Sequence, residues 1–356
     1  MPAITATGKT NPGNFFEDFT LGRSLRHATP RTVSNGDVAL YTALTGARFA
    51  LQSSDEFARA LGLDRAPIDD LLVFHIVFGK SVPDVSLNAV ANLGYANGRF
   101  GAPVFAGDTI TTVSEVIGLK ENSNGKTGVV YVNSIGHNQR GEMVLDYVRW
   151  VMVNKRDAGA LAPEPSVPDL PVAVDRGALA VPDALDFSGY DETLAGSPAR
   201  WEDYAPGERI DHQGGMTIEE AEHMMATRLY QNTAKVHFNQ HAVDQSRFGK
   251  RIVYGGHIIS IARAQSFNGL AGAGKLLAIN GGRHVAPSFA GDTIYSWSEV
   301  LECCEIEGRE DAGALRLRTL ATKDKDCASF PDKDHEGKFD PAVVLEFDYW
   351  ALMPRR

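Results

Sequence analysis

The sequence predicts an α+β fold built twice in tandem. Three observations predict it: an internal repeat, one order of helices and strand-rich runs in both copies, and a proline-rich stretch between them. The phrase GRFGAPVFAGDTI over residues 98–110 returns over 282–294 as GRHVAPSFAGDTI, an offset of 184. Within one residue of that frame, Phe16-Glu17-Asp18-Phe19 aligns with Trp201-Glu202-Asp203-Tyr204, and Thr32-Val33 with Thr217-Ile218. Later, Val144-Leu145-Asp146-Tyr147 and Trp150 correspond to Val344-Leu345-Glu346-Phe347 and Trp350 at an offset of 200, so the polar stretch 323–338 is expected to hold the added residues. The repeating unit is about 150 residues, ample for a core of its own.

Each unit opens with a short helix, predicted over 33–44 and 217–230, and continues through an irregular stretch into a mostly apolar helix over 71–80 and 255–267. In the second copy, residues 257–264 are apolar or small on most faces, as expected of a helix surrounded by sheet. The runs 128–132 and 144–153 are β-branched, aromatic or alternating, and read as strands. Gly107-Asp108 and Gly291-Asp292 read as turns that open the sheet, and their presence in both copies assigns Asp108 and Asp292 a structural duty. Residues 158–200 carry six of the 17 prolines (Pro163, Pro165, Pro168, Pro171, Pro182 and Pro198), too many for a regular helix or a central strand. The expected organisation is an N-terminal unit over 1–157, a crossover linker over 158–199 and a C-terminal unit over 200–356. Edge-to-edge pairing of the two sheets would satisfy strand edges left open in each.

Composition limits the function classes. The 356 residues suit two domains, and 35 Lys and Arg against 45 Asp and Glu leave a net charge of −10, without the footprint of a nucleic-acid binder. The N-terminal stretch MPAITATGKTNPGN has no cationic segment followed by an apolar one, and the apolar run 71–78 is broken by His75 and far too short for a bilayer. A cytoplasmic protein without a membrane partner is the expectation. Cys303, Cys304 and Cys327 are too few and wrongly spaced for a disulfide framework or a zinc site, and are expected to be reduced thiols. His237 and His241 stand four apart without an HExxH glutamate, so no metal is expected. The glycine-rich stretches 269–274 and 281–282 lack the spacing of phosphate loops.

The residues with chemical promise lie in LYQNTAKVH, residues 229–237, where Asn232 precedes His237 by five positions. This segment resembles the hydratase signature of the MaoC-like dehydratase family, which sets an acidic residue five positions before a histidine. His237 matches the catalytic histidine, Asn232 stands where the family has its aspartate, and Val236 holds the aliphatic position between them. The N-terminal copy puts Ala47 and Gln52 at the two chemical positions, so only the C-terminal unit can be catalytic. Longer phrases in both halves (11–19, 86–95, 118–124, 149–153 and 226–239) resemble more closely the mesaconyl-CoA hydratases, also called β-methylmalyl-CoA dehydratases.

The resemblance implies a tandem, or double, hot-dog fold, each unit an antiparallel sheet wrapped around a central helix. It also implies reversible hydration of an α,β-unsaturated CoA thioester, most closely mesaconyl-C1-CoA (2-methylfumaryl-CoA) to β-methylmalyl-CoA. Imidazole titrates near neutrality, so His237 suits the acid and base roles. Asn232 is an amide that cannot take water's proton, and it is assigned to positioning water or the substrate carboxylate. Gly255 and Gly256, at the start of the second core helix, are assigned to an oxyanion hole through their backbone N–H groups. Lys235, Arg228, His257 and Tyr254 are further candidates for substrate binding, whereas Arg283, repeated as Arg99, is read as structural. The N-terminal unit is expected to accommodate CoA, which is part of the substrate, and no cofactor is expected. The implied partners are the CoA thioester and further copies of the chain, in a homodimer or higher homo-oligomer. Three other readings remain open: an R-specific hydratase of straight-chain enoyl-CoA, a hot-dog thioesterase, and a non-catalytic acyl-CoA binding partner.

Overall fold

The structure, a computed structural model, describes residues 8–356. The N-terminal stretch read above as free of a targeting signal lies in part, over residues 1–7, outside the described residues. One continuous antiparallel sheet organises the chain. Its strands are β1 (Ser24–Arg26), β2 (Arg31–Thr32), β3 (Ala89–Phe100), β4 (Thr109–Glu121), β5 (Thr127–His137), β6 (Met143–Asn154), β7 (Arg209–Thr217), β8 (Lys275–His284), β9 (Thr293–Ile306), β10 (Arg309–Lys323) and β11 (Val343–Pro354). Their order is β1-β4-β5-β6-β3-β8-β11-β10-β9-β7, with β2 paired to β4. The second half mirrors the first, and the halves join where Tyr95, Ala96, Gly98 and Arg99 of β3 pair with Gly282, Gly281, Ile279 and Ala278 of β8. That joint removes one open edge from each half.

Each half wraps one helix. Asp70–Ser81 is buried at every position. Leu71, Leu72, Phe74, Ile76 and Val77 are at most 1% exposed, each contributing about 1.5–3 kcal/mol relative to exposure. Its counterpart Gly255–Gln265 is buried from Gly256 to Ala264. The shorter helices are Asn35–Thr45, capped by Ser34, and Glu220–Leu229; residue 217, expected in the second of these, ends β7 instead. The two Gly-Asp turns do the same work in both halves. Gly107 and Gly291 take φ of 101° and 93°, and the carboxylates of Asp108 and Asp292 accept the N–H groups of Phe105 and Phe289, both at 2.9 Å. The added residues of the second half lie in the β10–β11 connection, 324–342, against 138–142 in the first.

The proline-rich segment holds only short helical turns and is pinned along its course. Ser166 bridges to Leu119, the Val174 N–H donates to Asn280 Oδ1, and the Phe187 N–H to Asp311 Oδ2. Cys303, Cys304 and Cys327 are free thiols, the first two adjacent on β9. Among the described residues no helix is long and apolar enough to cross a membrane.

Candidate active site

The two halves together enclose a cavity of about 290 Å³. The C-terminal half lines it with Asn232, His237, Tyr254, Gly255, His284 and Ser288, and the N-terminal half with Phe78, Ser86, Asn92, Tyr95 and Arg149. The signature segment reaches the cavity by a sharp turn after helix Glu220–Leu229, in which Gln231 takes a left-handed φ of 53°. Gly79 of the other half's core helix makes room for that turn, because a Cβ there would lie 1.9 Å from the Tyr230 carbonyl oxygen.

Asn232 is 4% exposed, and its Oδ1 accepts the Ala234 N–H at 2.9 Å. An amide oxygen so occupied leaves the NH2 end to act as donor. His237 closes the turn Lys235–His237, and its Nδ1 donates to the Ile252 carbonyl oxygen at 2.9 Å. A carbonyl only accepts, so the ring proton is on Nδ1 and Nε2 keeps its lone pair. Burial lowers the His237 pKa to about 4, against the raising effect of the Ile252 bond and with a further lowering by His223. The Tyr254 ring meets the imidazole edge-on at 5.6 Å.

Helix Gly255–Gln265 begins at the cavity with Tyr254 as its N-cap residue and no capping side chain. Its first N–H groups, those of Gly255 and Gly256, therefore lack intrahelical acceptors. A Cβ on Gly255 would lie 2.4 Å from the His284 ring. His284 Nε2 is hydrogen-bonded to Tyr95 Oη at 3.2 Å, and burial, aided by His237, pushes its pKa down to about 4.

The structure thus brings His237, Asn232, Tyr254 and Gly255 around one cavity and leaves the other sequence candidates outside its lining. Gly256 packs behind it against Tyr254 and His75. His257 is 1% exposed and packs in the core with Nδ1 unpartnered. Arg228 and Lys235 are exposed to solvent and do not line the cavity. On helix Glu220–Leu229 the buried residues are His223, Ala226, Thr227 and Leu229, so Arg228 falls on the outer face. Sequence reasoning missed Ser86, Asn92, Tyr95, Arg149 and His284. One signal was available: Arg149 interrupts the otherwise apolar run from Tyr147 to Val153 on a strand.

A central helix wrapped by antiparallel sheet in each half, with a cavity carrying a neutral imidazole and an uncapped helix N-terminus, defines a MaoC-like double hot-dog hydro-lyase. Similarity to known proteins agrees at every level. The family model described as mesaconyl-CoA hydratase matches residues 3–333, and the chain belongs to that family. A β-methylmalyl-CoA dehydratase of Chloroflexus aurantiacus is 66% identical over 350 residues, covering 98% of this chain and 99% of that protein. A crystal structure of a MaoC domain protein dehydratase from Chloroflexus aurantiacus J-10-fl superimposes with a TM-score of 0.96 at 66% identity, covering 98% and 99% of the two chains. A Mycobacterium tuberculosis protein described as having a double hotdog fold gives a TM-score of 0.76 at 26% identity, over 96% and 98%.

Proposed function

We propose that this chain reversibly hydrates mesaconyl-C1-CoA (2-methylfumaryl-CoA) to β-methylmalyl-CoA, in the cytoplasm and as a homodimer or higher homo-oligomer. The observation that carries the reading is the state of His237: neutral, fixed as the Nδ1–H tautomer by Ile252, with Nε2 left as a base in a cavity large enough for an acyl group. In the forward direction Nε2 takes a proton from water as the water oxygen bonds to the carbon beside the substrate carboxylate. The π electrons move through the α-carbon to the thioester oxygen, which gains enolate character. The N–H group of Gly255, with the helix dipole behind it, stabilises that charge. Collapse of the enolate takes the proton from the imidazolium to the α-carbon, so the net change is addition of H and OH. Burial disfavours the imidazolium, which makes the return of the proton to carbon easier.

Asn232 completes the site as a donor, its NH2 directed by the Ala234 bond to the water or the substrate carboxylate. An aspartate there would place a second negative charge beside the first. No oxidation state changes overall and backbone donors polarise the carbonyl, so the chemistry requires neither a metal nor a redox cofactor. The family description and the relative's name support the substrate class. The test is the initial rate of enoyl-thioester absorbance loss with mesaconyl-C1-CoA and crotonyl-CoA, for wild type and His237→Ala, with a thiol reagent in parallel. A preference for the carboxylated substrate, abolished by the substitution and without thiol release, is expected. Thiol release would make the chain a thioesterase, and inertness toward both substrates would make it a binding protein.

A further inference from the structure

The N-terminal half has no Asn-His pair, yet it contributes to the cavity a cation that is hard to account for by folding alone. Arg149 is 0% exposed, and it is the one lysine or arginine among the cavity-lining residues. Its guanidinium stacks over Phe78 at 4.2 Å and donates to neutral oxygens only, to Ser81 Oγ at 2.7 Å and Ser86 Oγ at 3.3 Å. Its Nε–H has no partner, and it forms no ion pair with any carboxylate among the described residues. Burial depresses its pKa, and the charges that act in its favour come from tyrosines 147, 95 and 254 rather than from an acid. Leaving a buried cation without a counter-ion is costly, and proteins that keep one generally supply the anion from elsewhere.

Two neighbours point the same way. Asn92 lines the same cavity, and both its Oδ1 and its Nδ2 are buried without a partner. Ser86, which holds the guanidinium, lines it too. A fork of N–H donors beside an unpaired amide and a hydroxyl is the arrangement that receives a carboxylate. We propose that Arg149, with Asn92 and Ser86, is the anchor for the substrate's carboxylate, so that the N-terminal half reads the charge of the substrate while the C-terminal half performs the chemistry. This inference rests on the hydratase reading above for its ligand. It assigns the specificity for a carboxylated acyl group to a residue that Arg228 and Lys235, both exposed, cannot replace.

The experiment compares kcat/KM for mesaconyl-C1-CoA and crotonyl-CoA in wild type, Arg149→Gln and Arg149→Lys. Calorimetric binding of two unreactive thioesters, succinyl-CoA and butyryl-CoA, runs alongside. Arg149→Gln should lower kcat/KM on the carboxylated substrate about 100-fold or more and on crotonyl-CoA less than about tenfold, and Arg149→Lys should recover part of the loss. Wild type should bind succinyl-CoA at least about tenfold more tightly than butyryl-CoA, and Arg149→Gln should erase that difference. Equal losses on both substrates, or a wild type that binds the two thioesters alike, would overturn the anchor. If the arginine variants fail to fold, Asn92→Ala is measured instead, and a fall of about fivefold confined to the carboxylated ligands is the supporting result. A wild type that prefers succinyl-CoA yet hydrates neither substrate would remove the hydratase reading and keep the anchor.

Discussion

The two halves carry the same helix and the same strand order, but the groups at their helix N-termini differ. In the C-terminal half, Asn232, Ala234, His237, Tyr254, Gly255 and Gly256 surround or back a cavity of about 290 Å³. The repeat puts Ala47, Phe49, Gln52, Asp69, Asp70 and Leu71 at those places, and the first four of them line a crevice of about 10 Å³. The filling is by polar and aromatic groups together. Phe49 is 2% exposed and lies 3.9 Å beneath the Arg263 guanidinium, and Gln52 Nε2 donates to the Gly274 carbonyl oxygen. The Asp69 carboxylate caps its own helix by accepting the Leu71 N–H at 2.8 Å, at the place where Gly256 stands in the other half. Asp70 takes the place of Gly255 and binds Lys275 at 2.5 Å. A carboxylate of the chain thus occupies a helix N–H donor in one copy, and the other copy has no capping side chain.

The buried arginines make the same contrast. Arg263 gives its Nη donors to Ser266 Oγ and the Ala273 carbonyl oxygen and stacks on the Phe49 ring. Arg149 keeps an unpartnered N–H in the lining of the open cavity. Duplication therefore preserved the scaffold in both halves and let the contents of the two sites diverge. The half that lost its signature still lends side chains to its neighbour's cavity.

The sharpest test of this contrast sets His237 against Gln52. Removing a general acid and base costs about 10²–10⁴ in kcat, so His237→Ala should lose about a thousandfold, while Gln52→Ala should change kcat less than about twofold. A large loss from Gln52→Ala would mean that the filled site still takes part. Next in size is Asp70→Asn, which leaves the Lys275 ammonium buried without its partner. An unfolding curve should show a loss of about 3–5 kcal/mol, with kcat on the folded protein little changed.

Acid should weaken the open half's core in a defined window. Burial lowers His237, His257 and His284, and also His212, to about 4 in the folded chain, against 6.5 when unfolded. The unfolded state therefore binds more protons below pH 6.5. Stability is complete above that value and falls as the pH drops toward 4, at about 1.4 kcal/mol per unit for each such group. Denaturant midpoints at pH 7.5, 6.0 and 5.0 should decline in that order; a midpoint that stays level would show that these rings protonate without cost.

The smallest effect expected is that of Asn232→Asp. The bond from the Ala234 N–H survives, because a carboxylate accepts it equally well, so the change isolates the loss of the NH2 donor and the gain of a charge. Turnover of mesaconyl-C1-CoA should fall about tenfold, and that of crotonyl-CoA should fall less. Unchanged or faster turnover of the carboxylated substrate would refute the role given to the amide.

Much of this was legible in the sequence because it is local or repeated. The Gly-Asp turns, the two core helices and the proline-rich crossover each declare themselves within a few residues, and the repeat itself shows Ala47 and Gln52 where the other copy has Asn232 and His237. Asn232 and His237 stand five positions apart, so one turn of chain suffices to bring both to the same cavity. Nearness along the chain misled for Arg228 and Lys235. They lie beside the signature, but the helix face and the 3-10 turn that carry them point to solvent.

What the sequence determined by itself is the duplicated α+β plan and the Asn-His pair that one copy carries and the other lacks, since each is written in spacing or in repeat. Tertiary structure alone decided which side chains share the cavity with that pair. Arg149, Asn92 and Tyr95 lie over 80 residues from His237 and reach it through the β3–β6 register and the β3–β8 joint. A one-residue slip in that register would turn each to the opposite face of the sheet. Whether a buried charge has a partner depends on three-dimensional neighbours, and no spacing along one strand contains that information.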